Sequence, residues 1–293
     1  MPDGQPRMAY EDIELVRQWI LHGASDTATY VDPQLLSDYY NGQGAPRMAP
    51  LGEPFPSEGF QIHFGPFFLE PLTEAEYFYK YETQLPETIE VNRVQTLINE
   101  ESHHTALYRY HPGADTFFAP GLRPVNGVID AAGVFFTSDV IGQWPNSQNL
   151  VLPEGAAFTF PENVVLDLNY HVVNYSGSAI LAAEFYMNVY TQEAGTAIAE
   201  LKSDPVYYGG NEPSLLVIPP GDSTYTIDNF VQDTSYTRYI WSIMAHTHQL
   251  GTEYDIWLRN EDGTKGEHIY NGHYNSDYTF DQGFYDWQHP PFR

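Results

Sequence analysis

Five of the eleven histidines stand where residue type and spacing could do chemistry: His103, His104, His171, His246 and His248. A neutral imidazole offers a nitrogen lone pair that suits copper or zinc. His246 and His248 are two residues apart. On a strand, residues i and i+2 share a face at roughly 6–7 Å between Cα atoms, so two such rings can converge on one ion. His103 and His104 are adjacent, and a regular strand points neighbours to opposite faces. Both can reach one ion only if the chain bends there or the rings use different nitrogens. The preceding Asn99-Glu100-Glu101-Ser102 is turn-like and permits a bend. Each motif alone is ordinary strand surface, and the ordered set of three clusters is what carries information. The other histidines read as unexceptional: His111 in a turn, His22 in a last helical turn where a cation suits the dipole, and His63, His268, His273 and His289 scattered.

The elements that must position these rings read as strands. In Val164–Asn174, alternation puts Leu166, Leu168 and Tyr170 on one face and Asp167, Asn169 and His171 on the other. The first set can pack a core. The second leaves an imidazole among polar neighbours on an exposed or cleft-facing surface. In Tyr239–Leu250, Trp241, Ile243, Ala245 and Thr247 share one face, and Ser242, Met244, His246 and His248 the other. Thr88–Val94, Thr105–Tyr110, Ala182–Tyr190 and Tyr236–Gln249 are also strand-like. Turn signals at His111-Pro112-Gly113, Ser176-Gly177, Pro219-Pro220-Gly221-Asp222 and Glu261-Asp262-Gly263 separate the strand-like runs.

The expected fold is all-β, with two jelly-roll-like antiparallel β-sandwiches in tandem behind a short N-terminal helix. Residues 1–24 read as a helical remnant: Ile13, Val16, Trp19 and Ile20 recur at helical spacing, and Gly23 sits where a C-cap belongs. Residues 25–59, rich in Pro, Gly, Asp and Ser, read as linker. Residues 60–197 form the first sandwich and 198–293 the second. The stretch Thr191–Ser203 is the boundary region, and its alanines at 194, 197 and 199 leave a short helix open there.

Composition narrows the function. Acidic residues number 39 against 12 basic, a net charge of −27, which repels nucleic acid and anionic lipid. The plain reading of that charge is solubility. Without cysteine the chain has no disulfide, thiolate site, iron–sulfur cluster or CxxCH haem attachment of its own. No apolar run approaches the roughly 20 residues of a membrane span. Met1-Pro2-Asp3-Gly4 shows no signal peptide, so the chain reads either as cytosolic or, preferably, as a segment of a longer precursor.

Three pieces carry a family resemblance: Ser102-His103-His104-Thr105, Asn169-Tyr170-His171 and Ala245-His246-Thr247-His248-Gln249-Leu250-Gly251. Over roughly residues 60–293 the chain resembles the copper type II, ascorbate-dependent monooxygenase superfamily, which includes dopamine β-monooxygenase and peptidylglycine α-hydroxylating monooxygenase. The resemblance implies two copper ions. His103, His104 and His171 would bind the one that relays electrons. His246 and His248 would bind the one where O₂ is activated and a substrate C–H bond hydroxylated. It further implies a small-molecule substrate, an electron donor such as ascorbate, and an extracellular or periplasmic setting.

This sequence departs from the family pattern in several places. The family completes its second site with a Met thioether several strands later, yet Gln249–Arg293 contain no Met. A second sandwich truncated at its C-terminus is therefore expected. Met244, on the face of His246, is a less favoured source of sulfur. It stands where the peptide-amidating branch has a basic residue, which argues against peptide amidation. The start of the chain, through Trp19-Ile20-Leu21-His22-Gly23-Ala24, resembles the end of a bacterial c-type cytochrome domain. A plain amphipathic helix fits those residues equally well. The cytochrome reading makes haem c the electron donor in a longer parent protein, though not in this chain. Two other readings stay open: a non-catalytic β-sandwich that holds carbohydrate on exposed aromatics, and a metal site that serves structure only.

Overall fold

A computed structural model describes residues 7–116, 118–119, 121–125, 138–144, 147–203, 220–226, 239–243, 253–273 and 283–284. The chain separates into two compact units, one containing the described residues up to Lys202 and the other those from Ser203 onward.

The first unit is an antiparallel β-sandwich carrying two short helices. In chain order it runs α1 (Tyr10–Leu21), α2 (Pro33–Tyr40), β1 (Gly59–Leu69), β2 (Glu74–Glu82), β3 (Ile89–Ile98) and β4 (Ser102–Tyr110). There follow β5 (Gly121–Pro124), β6 (Ser138–Trp144), β7 (Asn149–Val151), β8 (Ala156–Phe160), β9 (Val165–Val173), β10 (Leu181–Glu193) and β11 (Ala199–Glu200). One sheet has the order β1-β10-β3-β8-β11, with β7 also paired to β3. The other has the order β5-β2-β9-β4-β6. Every pairing is antiparallel except the two-residue match of β11 to β8.

Aromatic and branched residues fill the space between the sheets. Phe64 of β1 lies against Tyr79 and Tyr170 of the opposite sheet, with centroids 5.5 and 5.7 Å away, and against Phe185 of its own sheet at 4.9 Å. Leu166, Leu168 and Tyr170 are fully buried, as the alternation in β9 requires. The Tyr170 hydroxyl crosses to the first sheet, where it meets the Glu184 carbonyl and the Asn99 side chain, each at 3.2 Å, and it also bonds Ser102 Oγ at 2.8 Å.

The helices depart from the sequence reading in two ways. Residues 25–59 are not simply linker, because they contain α2. Asp32 Oδ1 accepts from Gln34 N at 2.8 Å, Pro33 opens the first turn, and Leu36 and Tyr39 are buried. Helix α1 forms where expected but packs by its polar face. Glu14, Gln18 and Leu21 are buried, while Val16, Trp19 and Ile20 are 45, 44 and 58% exposed. The cause is a set of backbone acceptors on β1. Arg17 donates to the carbonyls of His63 and Gly65 while paired to Glu14, and Gln18 reaches Pro66 O at 3.5 Å. Gly65 adopts φ +103°, and a Cβ there would lie 2.6 Å from Ala183 O, so only glycine fits this bend.

The alanines near 197 form no helix. The segment is held by Glu90 and leads into β11. In the second unit the described residues form two small antiparallel pairs, β12 (Ser242–Ile243) with β15 (Gly283–Phe284) and β13 (Glu253–Arg259) with β14 (Lys265–His273). Among the described residues no helix is long and apolar enough to cross a membrane.

Candidate metal centre

The outer face of the β5-β2-β9-β4-β6 sheet carries the candidate site. Alternation in β9 puts Asp167, Asn169 and His171 on this face, as read from the sequence, but their surroundings differ along the strand. At one end Phe118 and Val125 cover Phe78, Ala106 and Tyr108. Asp167 is fully buried, bonded by Arg123 and by Tyr110 Oη at 2.7 Å. At the other end the face opens at His171.

Register brings three groups into one row. Glu76 of β2 stands opposite His171 of β9, and His171 stands opposite His104 of β4. Directly opposed residues on adjacent strands share a face and approach closely. The rings of His104 and His171 lie 5.2 Å apart, centroid to centroid, at an interplanar angle of 80°. His104 Nε2 is 4.0 Å from Glu76 Oε1. One donor atom from each of the three residues falls within 4.8 Å of the others. Donors on one tetrahedral ion at bonds of about 2.0–2.1 Å sit roughly 3.4 Å apart. The three donors would have to draw closer to share an ion, and imidazole with carboxylate is a donor set that copper or zinc accepts.

The support around the row is polar and specific. His171 Nε2 bonds Glu74 Oε1 at 2.6 Å. Asn169, itself buried, donates from Nδ2 to Glu76 Oε1 at 2.8 Å. His104 is buried on the strand flank, whereas the Glu74 carboxylate reaches into solvent.

Of the five histidines singled out in the sequence, the described side chains are those of His104 and His171. His104 and His171 come together. The backbone of His103 lies in β4, where Ser102 pairs with Val172 and His104 pairs with His171. His103 is therefore the extra residue of a β-bulge, the kind of bend that releases neighbours from strict alternation. Its side chain lies outside the described residues, as do His246 and His248 entirely. Met244, the alternative sulfur source, lies outside them too. Glu74 and Glu76 were not singled out from the sequence. Their spacing places them on one strand face, but in a chain with 39 acidic residues that spacing is no signal until β2 is known to pair with β9.

Four other histidines have protein partners. His63 stacks on Tyr186 with centroids 4.0 Å apart and reaches Glu184, His111 bonds Asp139, and His268 bonds Asp255. His22 stacks on Tyr30 and bonds Gln18 O. Against models of known families and against curated proteins, the chain finds no match.

Proposed function

We propose that this chain is a copper-dependent monooxygenase. In this reading His103, His104 and His171 hold the electron-relay metal, and His246 and His248 hold the metal that meets O₂. One observation carries the proposal: His104 and His171, distant in sequence, are paired in register with their rings 5.2 Å apart. The ordered motifs Ser102-His103-His104-Thr105, Asn169-Tyr170-His171 and His246-Thr247-His248 support it from the sequence side. Copper would supply one-electron redox chemistry at such a centre. The chain's own part is to present neutral imidazoles on a stiff sheet face, which limits the rearrangement needed when the oxidation state changes. The reading carries with it a small substrate, an external electron donor and a setting outside the cytoplasm.

The test is copper titration of the full chain, followed by oxygen uptake with ascorbate. Wild type should bind two copper ions. The double variant H104A/H171A should lose one of them, and H246A/H248A the other. Copper uptake that is unchanged in H104A/H171A would overturn the proposal.

A second reading, a metal that only fastens strands together, is favoured by the way the candidate ligands bridge three adjacent strands. It predicts a large fall in melting temperature on chelation, with no oxygen consumption by the loaded protein.

A further inference from the structure

We infer that Glu76 is an inner ligand of this centre and that Glu74 is its outer partner, fixing the ring of His171. The metal would then sit in a mixed pocket of imidazole and carboxylate. The inference rests on the reading of His104 and His171 as ligands.

Glu76 is placed by the same register that unites the histidines. It stands opposite His171, so Glu76, His171 and His104 form one row across β2, β9 and β4 on one face. Its carboxylate is held from behind by the buried Asn169, which orients it without occupying both oxygens' lone pairs. Glu74 comes two residues earlier on the same strand face. Its Oε1 lies 2.6 Å from His171 Nε2. A carboxylate on one ring nitrogen fixes the tautomer and makes the other nitrogen a better donor. That geometry assigns Nδ1 of His171 to the metal and Glu74 to the outer shell.

The chemistry of the pocket follows from its charge. Neutral imidazoles alone give an uncharged site of borderline donors. One added carboxylate is hard and anionic, so it favours Cu(II) and Zn(II) over Cu(I). The centre should therefore hold copper most tightly in its oxidised form.

The test uses the full chain in an H246A/H248A background, so that a single copper is observed. The probes are Cu(II) alone, followed by electron paramagnetic resonance and chelator competition, and Zn(II) as a competitor. E76Q retains the shape of the side chain and an oxygen for Asn169, and Glu74 is exposed, so folding should persist and circular dichroism checks it. E76Q should change the Cu(II) spectrum, weaken Cu(II) far more than Cu(I), and raise the midpoint potential. E74Q should weaken Cu(II) about 10–100-fold while leaving the ligand set in the spectrum unchanged.

If E76Q matches its parent in Cu(II) affinity and spectrum while H104A/H171A abolishes binding, the inference falls and the histidine reading stands. If E74Q alone alters the spectrum, the two roles are reversed and the inference also falls. If the parent binds no Cu(II), or H104A/H171A leaves binding intact, both readings fall.

Discussion

Asp167 and His171 share one face of β9, yet the protein treats them differently. Asp167 is fully buried, and burial pushes its carboxyl above the usual range while Arg123 and Tyr110 pull it back. Arg123 itself lies between the rings of Phe118 and Phe78, at 4.1 and 4.8 Å. Removing it would take the paired guanidinium away from a buried carboxylate. Arg123→Ala should therefore cost about 3–5 kcal/mol at pH 7 by urea denaturation. The penalty should shrink as the pH is lowered and Asp167 takes up a proton. The imidazole half of the candidate site was legible in the sequence, because eleven histidines are few beside 39 carboxylates and alternation fixes the face of His171. The carboxylate half was not. Acidic residues are everywhere in this chain, and only the pairing of β2 with β9 picks out Glu74 and Glu76.

At the level of elements, α1 shows how tertiary contacts overrule an apolar stripe. Periodicity located the helix, but the apolar positions it rests on are not the buried ones. Carbonyls at the β1 bend accept from Arg17 and Gln18, and Val16, Trp19 and Ile20 face outward. Leu21→Ala should then cost about 2–5 kcal/mol, as expected for a buried leucine. Ile20→Ser should stay within about 0.5 kcal/mol despite removing a larger apolar group than the sequence pattern would tolerate. Thermal melts of the two variants check both expectations. Helix α2 had a signal of its own in Asp32-Pro33, but the surrounding Pro and Gly masked it. Strands β3, β4, β9 and β10 were readable because each alternates or is rich in β-branched and aromatic residues. Strand β11 was not, since two residues leave no period to read.

For the molecule as a whole, an excess of carboxylates makes acid the natural probe. Glu90 is the informative one. Burial raises its carboxyl, but bonds from Gln192, Ala197, Gly195 and Thr196 outweigh this and hold it down to about 2. A depressed carboxyl contributes stability that is fully present above its unfolded value of about 4.5 and lost as pH falls through about 2. Glu90→Gln should thus lower the melting temperature at pH 7, with the gap to wild type closing between pH 4.5 and pH 2.

One further consequence follows from β9. Tyr170 reaches across to the opposite sheet while its neighbour His171 faces outward. A slip of a single position would exchange the two, sending an imidazole beneath Phe64 and a phenol to the surface. If His171 holds a metal as proposed, a copy that captures it has therefore already threaded this strand correctly. Metal content would then serve as a built-in certificate of proper assembly, and mis-threaded copies would stay metal-poor without any separate inspection.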